Sequence, residues 1–285
     1  MTKFFKMAGS GNDFVFFDAR GTDPAALETP PAIRAICARG TGVGADGIVF
    51  LVSSAVADVG IRYYNADASP AALCGNATLC TVRLAHLLGV DLRRKGEGAP
   101  EPGTDLRIET DAGVLAGRLR AGGEPEFDLG LVEVADPPPR IAPIAGEQSI
   151  GFAMAGIPHL VVRVADLEGI DLMGRGRQLR QHSTVGPAGA NVNFVGPRDG
   201  GLGIRTYERG VEGETLACGT GAVAAAAVLA AWGVSRPPEP VRLVTRSGRV
   251  LTVRLERLPT APPASRWMAS LAGEGRLVFE GVLPG

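Results

Sequence analysis

Two cysteines in this chain have matching surroundings. Cys74 is followed by Gly75-Asn76 and Cys218 by Gly219-Thr220, and each opens an Ala-, Leu- and Val-rich run that ends near Leu88 or Trp232. A β-branched and aromatic segment precedes each: Ile61-Arg62-Tyr63-Tyr64-Asn65 before the first, Ile204-Arg205-Thr206-Tyr207-Glu208 before the second, with Ile-to-Cys offsets of 13 and 14 residues. If each Cys-Gly lies at a helix N-terminus, the sulfur meets outward N–H groups and the positive end of the helix dipole. That field lowers a thiol pKa and enriches the thiolate, and the same N–H groups can hold a carboxylate. Two such ends facing one small anion would suit inversion at an acidic carbon. One thiolate removes a proton from one face and the opposite thiol delivers one to the other, while the helix ends stabilise the carbanion's charge. A lone cysteine is more often an inert buried residue. Two equivalent ones, each followed by glycine at a helix start, favour chemistry. Cys37 and Cys80 have no such counterpart and are read as structural.

The elements that must position these sulfurs repeat: strand, irregular loop, Cys-Gly, helix. Two copies predict two similar domains, against the alternative that strand-loop-helix units resemble one another by chance. Further strands are predicted at Phe14–Asp18, Ile48–Val52, Leu106–Thr110, Val114–Leu119, His159–Val164, Val192–Val195, Val241–Thr245 and Val250–Glu256. Helices are predicted at Ala32–Ala38, Cys74–Leu88 and Cys218–Trp232. Short strands outnumber helices, which predicts an α+β fold with antiparallel sheets. Gly122-Gly123-Glu124-Pro125 and Pro259 to Pro263 are hinge candidates, and a last strand, Leu277–Val282, is read as returning to the first domain.

Composition narrows the chemistry. A net charge of -1 over 285 residues gives no electrostatic case for nucleic acid or an anionic membrane. The longest nearly apolar stretch, Ala222 to Trp232, is shorter than the roughly 20 residues a bilayer needs. The opening residues lack the apolar core of a signal peptide, so the chain is read as cytoplasmic, with a small-molecule substrate and neither nucleic acid nor membrane as partner. There is no Cys-x-x-Cys pair, and His86, His159 and His182 show no zinc spacing, so no metal is expected. Lys3, Lys6 and Lys95 are the only lysines; the first two flank a terminal strand and Lys95 lies in a polar, loop-like stretch. None suits the pocketed Schiff base of a pyridoxal-phosphate enzyme, and no cofactor is expected.

Motifs then add a specific resemblance. Gly9-Ser10-Gly11-Asn12-Asp13-Phe14, Gly42-Val43-Gly44-Ala45-Asp46-Gly47, Asn65-Ala66-Asp67, Cys74-Gly75-Asn76 with Cys80, Pro158-His159, Asn191-Val192-Asn193-Phe194, Glu208-Arg209-Gly210 and Glu214-Thr215-Leu216-Ala217-Cys218-Gly219-Thr220-Gly221 follow one another in an order that resembles the diaminopimelate epimerase family across essentially the whole chain. The resemblance implies two pseudo-symmetric α/β domains with the active site in the cleft between them. Taken with the repeat, it sets the domains at 1–123 with a returning strand in 268–285, and at 124–267. It implies Cys74 and Cys218 as the acid/base pair, with His159 and Glu208 beside them tuning the proton transfers. Gly75, Asn76, Gly219 and Thr220 would donate to the reacting carboxylate, and Asn12, Asn65, Asn191, Glu208 and Arg209 would read the substrate's distal amino-acid end. The family's reaction interconverts L,L- and meso-diaminopimelate on the route to lysine and peptidoglycan precursors; its members are often dimers, so the resemblance allows a homodimer.

Three places depart from the family pattern. Ile157 stands where an asparagine usually precedes Pro-His, Asp67-Ala68-Ser69-Pro70 replaces Asp-Gly-Ser-Glu, and Ala77-Thr78-Leu79 replaces Gly-x-Arg. Two alternatives stay open on these residues: a racemase of another amino acid, and a non-catalytic amino-acid-binding relative. A cysteine hydrolase fits less well, because no nucleophile-base-orienter triad is readable.

Overall fold

The apolar runs behind the two cysteines are helices that bury nearly their whole surface, and the strands are arranged around them. A computed structural model describes residues 1–90, 106–258 and 266–284. In chain order the first elements are β1 (Thr2–Gly9), β2 (Asn12–Asp18), α1 (Pro30–Cys37), β3 (Gly47–Val52), β4 (Val59–Asn65), α2 (Gly75–Leu87), β5 (Leu106–Thr110), β6 (Gly113–Leu119) and β7 (Pro125–Val134). They continue with β8 (Glu147–Ala155), β9 (Ile157–Val164), α3 (Leu172–Arg180), β10 (Asn191–Arg198), β11 (Gly201–Glu208), β12 (Gly213–Thr215), α4 (Gly219–Ala231), β13 (Val241–Val244), β14 (Val250–Arg257), β15 (Arg266–Ala272) and β16 (Arg276–Leu283). The chain divides into two compact units, Met1–Phe127 with Ala272–Gly285, and Asp128–Leu271.

In the first unit the strands run in the order β6-β5-β4-β3-β2-β1-β16, and the first residues of β7 pair with β6. Pairing alternates: β1–β2, β3–β4 and β5–β6 are antiparallel, β2–β3 and β4–β5 parallel. Each parallel pair is bridged by a helix, because returning in the same direction needs a crossover. Helix α1 bridges β2 and β3; α2 bridges β4 and β5. Thr29 caps α1 with its side chain, and Pro30 and Pro31 occupy the first turn, where a missing N–H costs nothing. Helix α2 touches β1 and β16 at one end of the order and β6 toward the other, so the sheet curls around it. Leu79, Cys80, Val82, Leu84 and Ala85 are fully buried on several faces of this helix. Gly9 lets it seat closely: a Cβ there would lie 2.7 Å from the Asn76 carbonyl oxygen and 2.9 Å from Cys80 Sγ.

The second unit repeats this plan. Its pairings β8–β9, β10–β11 and β13–β14 are antiparallel, and β9–β10 and β11–β13 parallel, bridged by α3 and α4. The order β15-β14-β13-β11-β10-β9-β8-β7 closes on itself, because β15 also pairs with β7. Closure leaves α4 enclosed by β8, β9, β10 and β14, with every residue from Ala222 to Leu229 fully buried.

The structure corrects three expectations. The sheets are mixed rather than antiparallel, since helical crossovers force parallel neighbours. Helix α3 was not expected: its Gly174 and Gly176 weaken helix propensity, and it forms because the Asp171 side chain caps Gly174 N and Leu172 and Leu179 enter the core. Gly122-Gly123-Glu124-Pro125 forms the turn between β6 and β7, closed by Gly123 N to Arg120 O at 2.9 Å, so it lies inside the first unit. Lys95 and the candidate hinge Pro259 to Pro263 lie outside the described residues. Among the described residues, no helix is long and apolar enough to cross a membrane.

Candidate active site

Both singled-out cysteines are helix N-caps. Cys74 precedes α2 with φ −129° and ψ 114°; Cys218 precedes α4 with φ −123° and ψ 110°. The caps are extended, so each carbonyl accepts the first helical bond: Thr78 N to Cys74 O at 2.9 Å, Ala222 N to Cys218 O at 3.0 Å. Gly75 and Gly219 are the first helical residues, which leaves the leading N–H groups of each helix without a bulky side chain over them.

Around Cys74 the side chains form two chains of hydrogen bonds. Asn76, 4% exposed, donates Nδ2 to Asn12 Oδ1 at 2.7 Å, and Asn12 donates Nδ2 to Asp46 Oδ2 at 2.9 Å. Behind this pair stand Arg39, bound to Asp13 and Asp46 at 2.6 and 2.7 Å, and the buried Lys6 ammonium, 2.5 Å from Asp13. Burial works against the Asp13 charge, but Arg39 and Lys6 outweigh it and hold its carboxyl below the usual range. The second chain runs from Tyr63, whose hydroxyl donates to Asn65 Oδ1 at 2.9 Å, through Asn65 Nδ2 to Ser69 Oγ at 3.0 Å, to Asp67. Burial, then the neighbouring Cys74 sulfur, pushes the Tyr63 phenol up, so Tyr63 stays neutral. Thus Asn12, Asn65, Gly75 and Asn76 gather at Cys74.

Cys218 also has a polar shell. Asn191 Nδ2 lies 3.9 Å and Thr220 Oγ1 3.6 Å from its sulfur. Asn191 Oδ1 accepts from Arg209 N at 2.8 Å, which ties the end of β11 to β10. Parallel pairing sets Asn191 opposite His159 on β9, and His159 is fully buried. Its Nδ1 lies 3.2 Å from Asn193 Nδ2, and burial, reinforced by the Arg209 charge, holds the imidazole down to about 3. Glu208, adjoining Arg209, is pushed up by burial, with the Thr215 hydroxyl opposing. Among the described residues no carboxylate pairs with the Arg209 guanidinium. Asn191 and Thr220 thus lie at the Cys218 sulfur and Gly219 follows it in the chain; His159 and the Arg209 backbone join through Asn191, and Glu208 is placed by its position beside Arg209.

Ile157 opens β9, two residues before His159, and is half-buried. Cys37 and Cys80 are buried thiols; burial raises Cys37 to about 11 and Cys80 well above its ordinary value. Sequence reasoning placed Tyr63, Asp46, Asn193 and Thr206 in its repeats and motifs but gave none of them a role. The signal for Asn193 was its place two residues after Asn191, on the same face of one strand. Among the described residues no three His, Cys, Asp or Glu side chains group as a metal site.

Comparison with known proteins adds a family. The family model described as diaminopimelate epimerase matches residues 4–134 and 151–257. A diaminopimelate epimerase of Gemmatimonas aurantiaca is 46% identical, with 99% of each chain covered. Another, of Aquifex aeolicus, is 38% identical over 88% of this chain and 89% of its own. Among solved structures, a phenazine biosynthesis protein of the PhzF family from Bacillus anthracis superposes with a TM-score of 0.69 over 99% of both chains at 18% identity, a likeness of fold.

Proposed function

Because the chain belongs to the diaminopimelate epimerase family, we propose that it interconverts L,L- and meso-diaminopimelate with Cys74 and Cys218 as a thiolate/thiol pair, a step toward lysine and peptidoglycan precursors. The observation that carries the reading is the equivalence of the two sulfurs: both are N-caps of 13-residue helices, with backbone angles within 6° of each other, at the same position of a repeated topology. A two-base inversion needs this equivalence, since each sulfur must act as base in one direction and as acid in the other.

The steps balance with the chain's own groups. One cysteine, as thiolate, takes the α-proton and becomes a thiol. The electron pair left on carbon delocalises into the α-carboxylate, which the leading N–H groups of α2 and α4 stabilise. The other cysteine, as thiol, gives its proton to the opposite face and becomes the thiolate. No external oxidant, reductant or electron sink is required. Arg209, with no carboxylate against it among the described residues, suits a carboxylate at the substrate's distal end.

In deuterated water, reduced protein should replace the α-hydrogen of diaminopimelate, and Cys74→Ala and Cys218→Ala should each lower exchange by about 10²–10⁴-fold. Undiminished exchange in either variant would overturn the pairing. A second reading, racemisation of a different amino acid by the same two sulfurs, is favoured by Ile157, whose side chain neither donates nor accepts a hydrogen bond. A panel of amino acids separates the two: exchange of another substrate without diaminopimelate would select the second.

A further inference from the structure

The Asn193 side chain has only one orientation open to it. Its Nδ2 lies 3.0 Å from the Leu160 carbonyl oxygen, which can only accept. Its Oδ1 lies 2.9 Å from Thr206 Oγ1, so the hydroxyl must donate to it. Asn193 is fully buried and Thr206 is 3% exposed, so water does not compete for either contact. The second Nδ2 hydrogen then points at His159 Nδ1, 3.2 Å away. An N–H aimed at a ring nitrogen demands a lone pair there. His159 Nδ1 is therefore an acceptor, and the ring proton sits on Nε2. The same contact disfavours the imidazolium, which would set two N–H groups against each other.

That leaves an unusual donor. His159 is fully buried, and among the described residues its Nε2 has no hydrogen-bond partner. A buried N–H without an acceptor costs about 1–3 kcal/mol, a cost a ligand oxygen would remove. Asn193 Oδ1 and Cys218 Sγ both flank Gly221: a Cβ placed there would overlap the amide oxygen and lie 3.2 Å from the sulfur.

We propose that Asn193 is a positioning residue that locks His159 in its Nε2–H tautomer, so that His159 serves as a fixed hydrogen-bond donor to an oxygen of the bound substrate and not as a base. The tautomer follows from the network alone; the donor role rests on the epimerase reading. In that role Nε2–H meets charge that grows on the substrate as its proton leaves, and a donor fixed in advance needs no reorganisation. Proton transfer is left to sulfur.

The experiment is nitrogen NMR of the full chain labelled in histidine, with His159→Gln assigning one of three histidines. Without substrate, His159 should show a protonated Nε2 and an unprotonated Nδ1 from pH 5 to 8. Adding diaminopimelate should shift the Nε2–H signal and leave Nδ1 unprotonated. Asn193→Asp offers only acceptors, so it should place a proton on Nδ1 and lower exchange by about a hundredfold or more. A protonated Nδ1 or a tautomer mixture in the unsubstituted protein would overturn the lock, even if Asn193→Asp fails to fold. An Nε2–H signal unmoved by a substrate that is exchanged would overturn the donor role. The assigned tautomer with no exchange of diaminopimelate would instead sink the epimerase reading alone.

Discussion

A buried histidine held neutral has a thermodynamic signature. His159 titrates near 3 in the folded chain and near 6.5 when exposed. Between those values the unfolded state carries one more proton, so unfolding free energy falls as pH falls, by about 1.4 kcal/mol per pH unit. The loss begins as pH drops through the unfolded value and levels off below the folded one. Glu208 has the opposite sign: its raised pKa stabilises the fold at low pH, and the contribution fades as pH rises through the folded value. The difference between the unsubstituted chain and His159→Gln isolates the histidine. Urea unfolding at pH 7, 6, 5 and 4 should show the unsubstituted chain losing stability more steeply than the variant. Parallel curves would mean His159 is protonated in the fold. At this scale the sulfurs were legible in the sequence, because Cys-Gly before an apolar run recurs. The lock on His159 was not, because it depends on β9 and β10 lying side by side, with Asn191 opposite His159. Sequence spacing of 34 residues carries no trace of that adjacency.

Elements place the cysteines, and small residues set how closely the elements meet. Gly9 ends β1 where the first turn of α2 crosses it. Gly9→Ala would set a methyl 2.7 Å from a backbone oxygen of that turn, which cannot rotate away. Overpacking of this kind costs about 1–3 kcal/mol, and the relief available is a shift of the α2 N-terminus together with Cys74. Gly9→Ala should therefore lower both the denaturation midpoint and turnover; unchanged kinetics in a folded variant would show that Cys74 tolerates movement of its helix. Helix α4 was readable because an alanine-rich run of that length has few alternatives, and it carries almost no polar face, a sign of burial on all sides. Helix α2, with Asn76, Thr78, Thr81, Arg83 and His86 among its residues, was readable because it repeats the Cys-Gly start of α4. Helix α3 was unreadable, since two glycines in nine residues argue against it and the deciding factors, the Asp171 cap and the core beneath, are tertiary. The parallel pairs were missed for a related reason: strand alternation reports which residues turn inward, not which way the neighbouring strand runs.

At the scale of the molecule, the two units depend differently on the end of the chain. The second unit closes its own ring of strands through β15 and β7. The first relies on β16, which returns after the whole second unit and pairs along β1 from Thr2↔Leu283 to Ala8↔Arg276. That strand sets Phe279 edge-on against Phe4 at 6.0 Å, and the Arg276 backbone reaches Cys80, which is fully buried. A chain ending at Leu271 should thus loosen the first unit and spare the second. Cysteines supply the readout, because buried high-pKa thiols resist alkylation until uncovered. In a Cys74→Ala background, brief native-state labelling followed by peptide mass mapping should show Cys80 and Cys37 modified in the shortened chain and protected in the full one. Cys218 should label at the same rate in both. Protection of Cys80 after truncation would mean that α2 is held by β1 and β6 alone, and that β16 contributes no cover to the first core. Labelling of Cys218 together with the others would mean that the two units unfold as one.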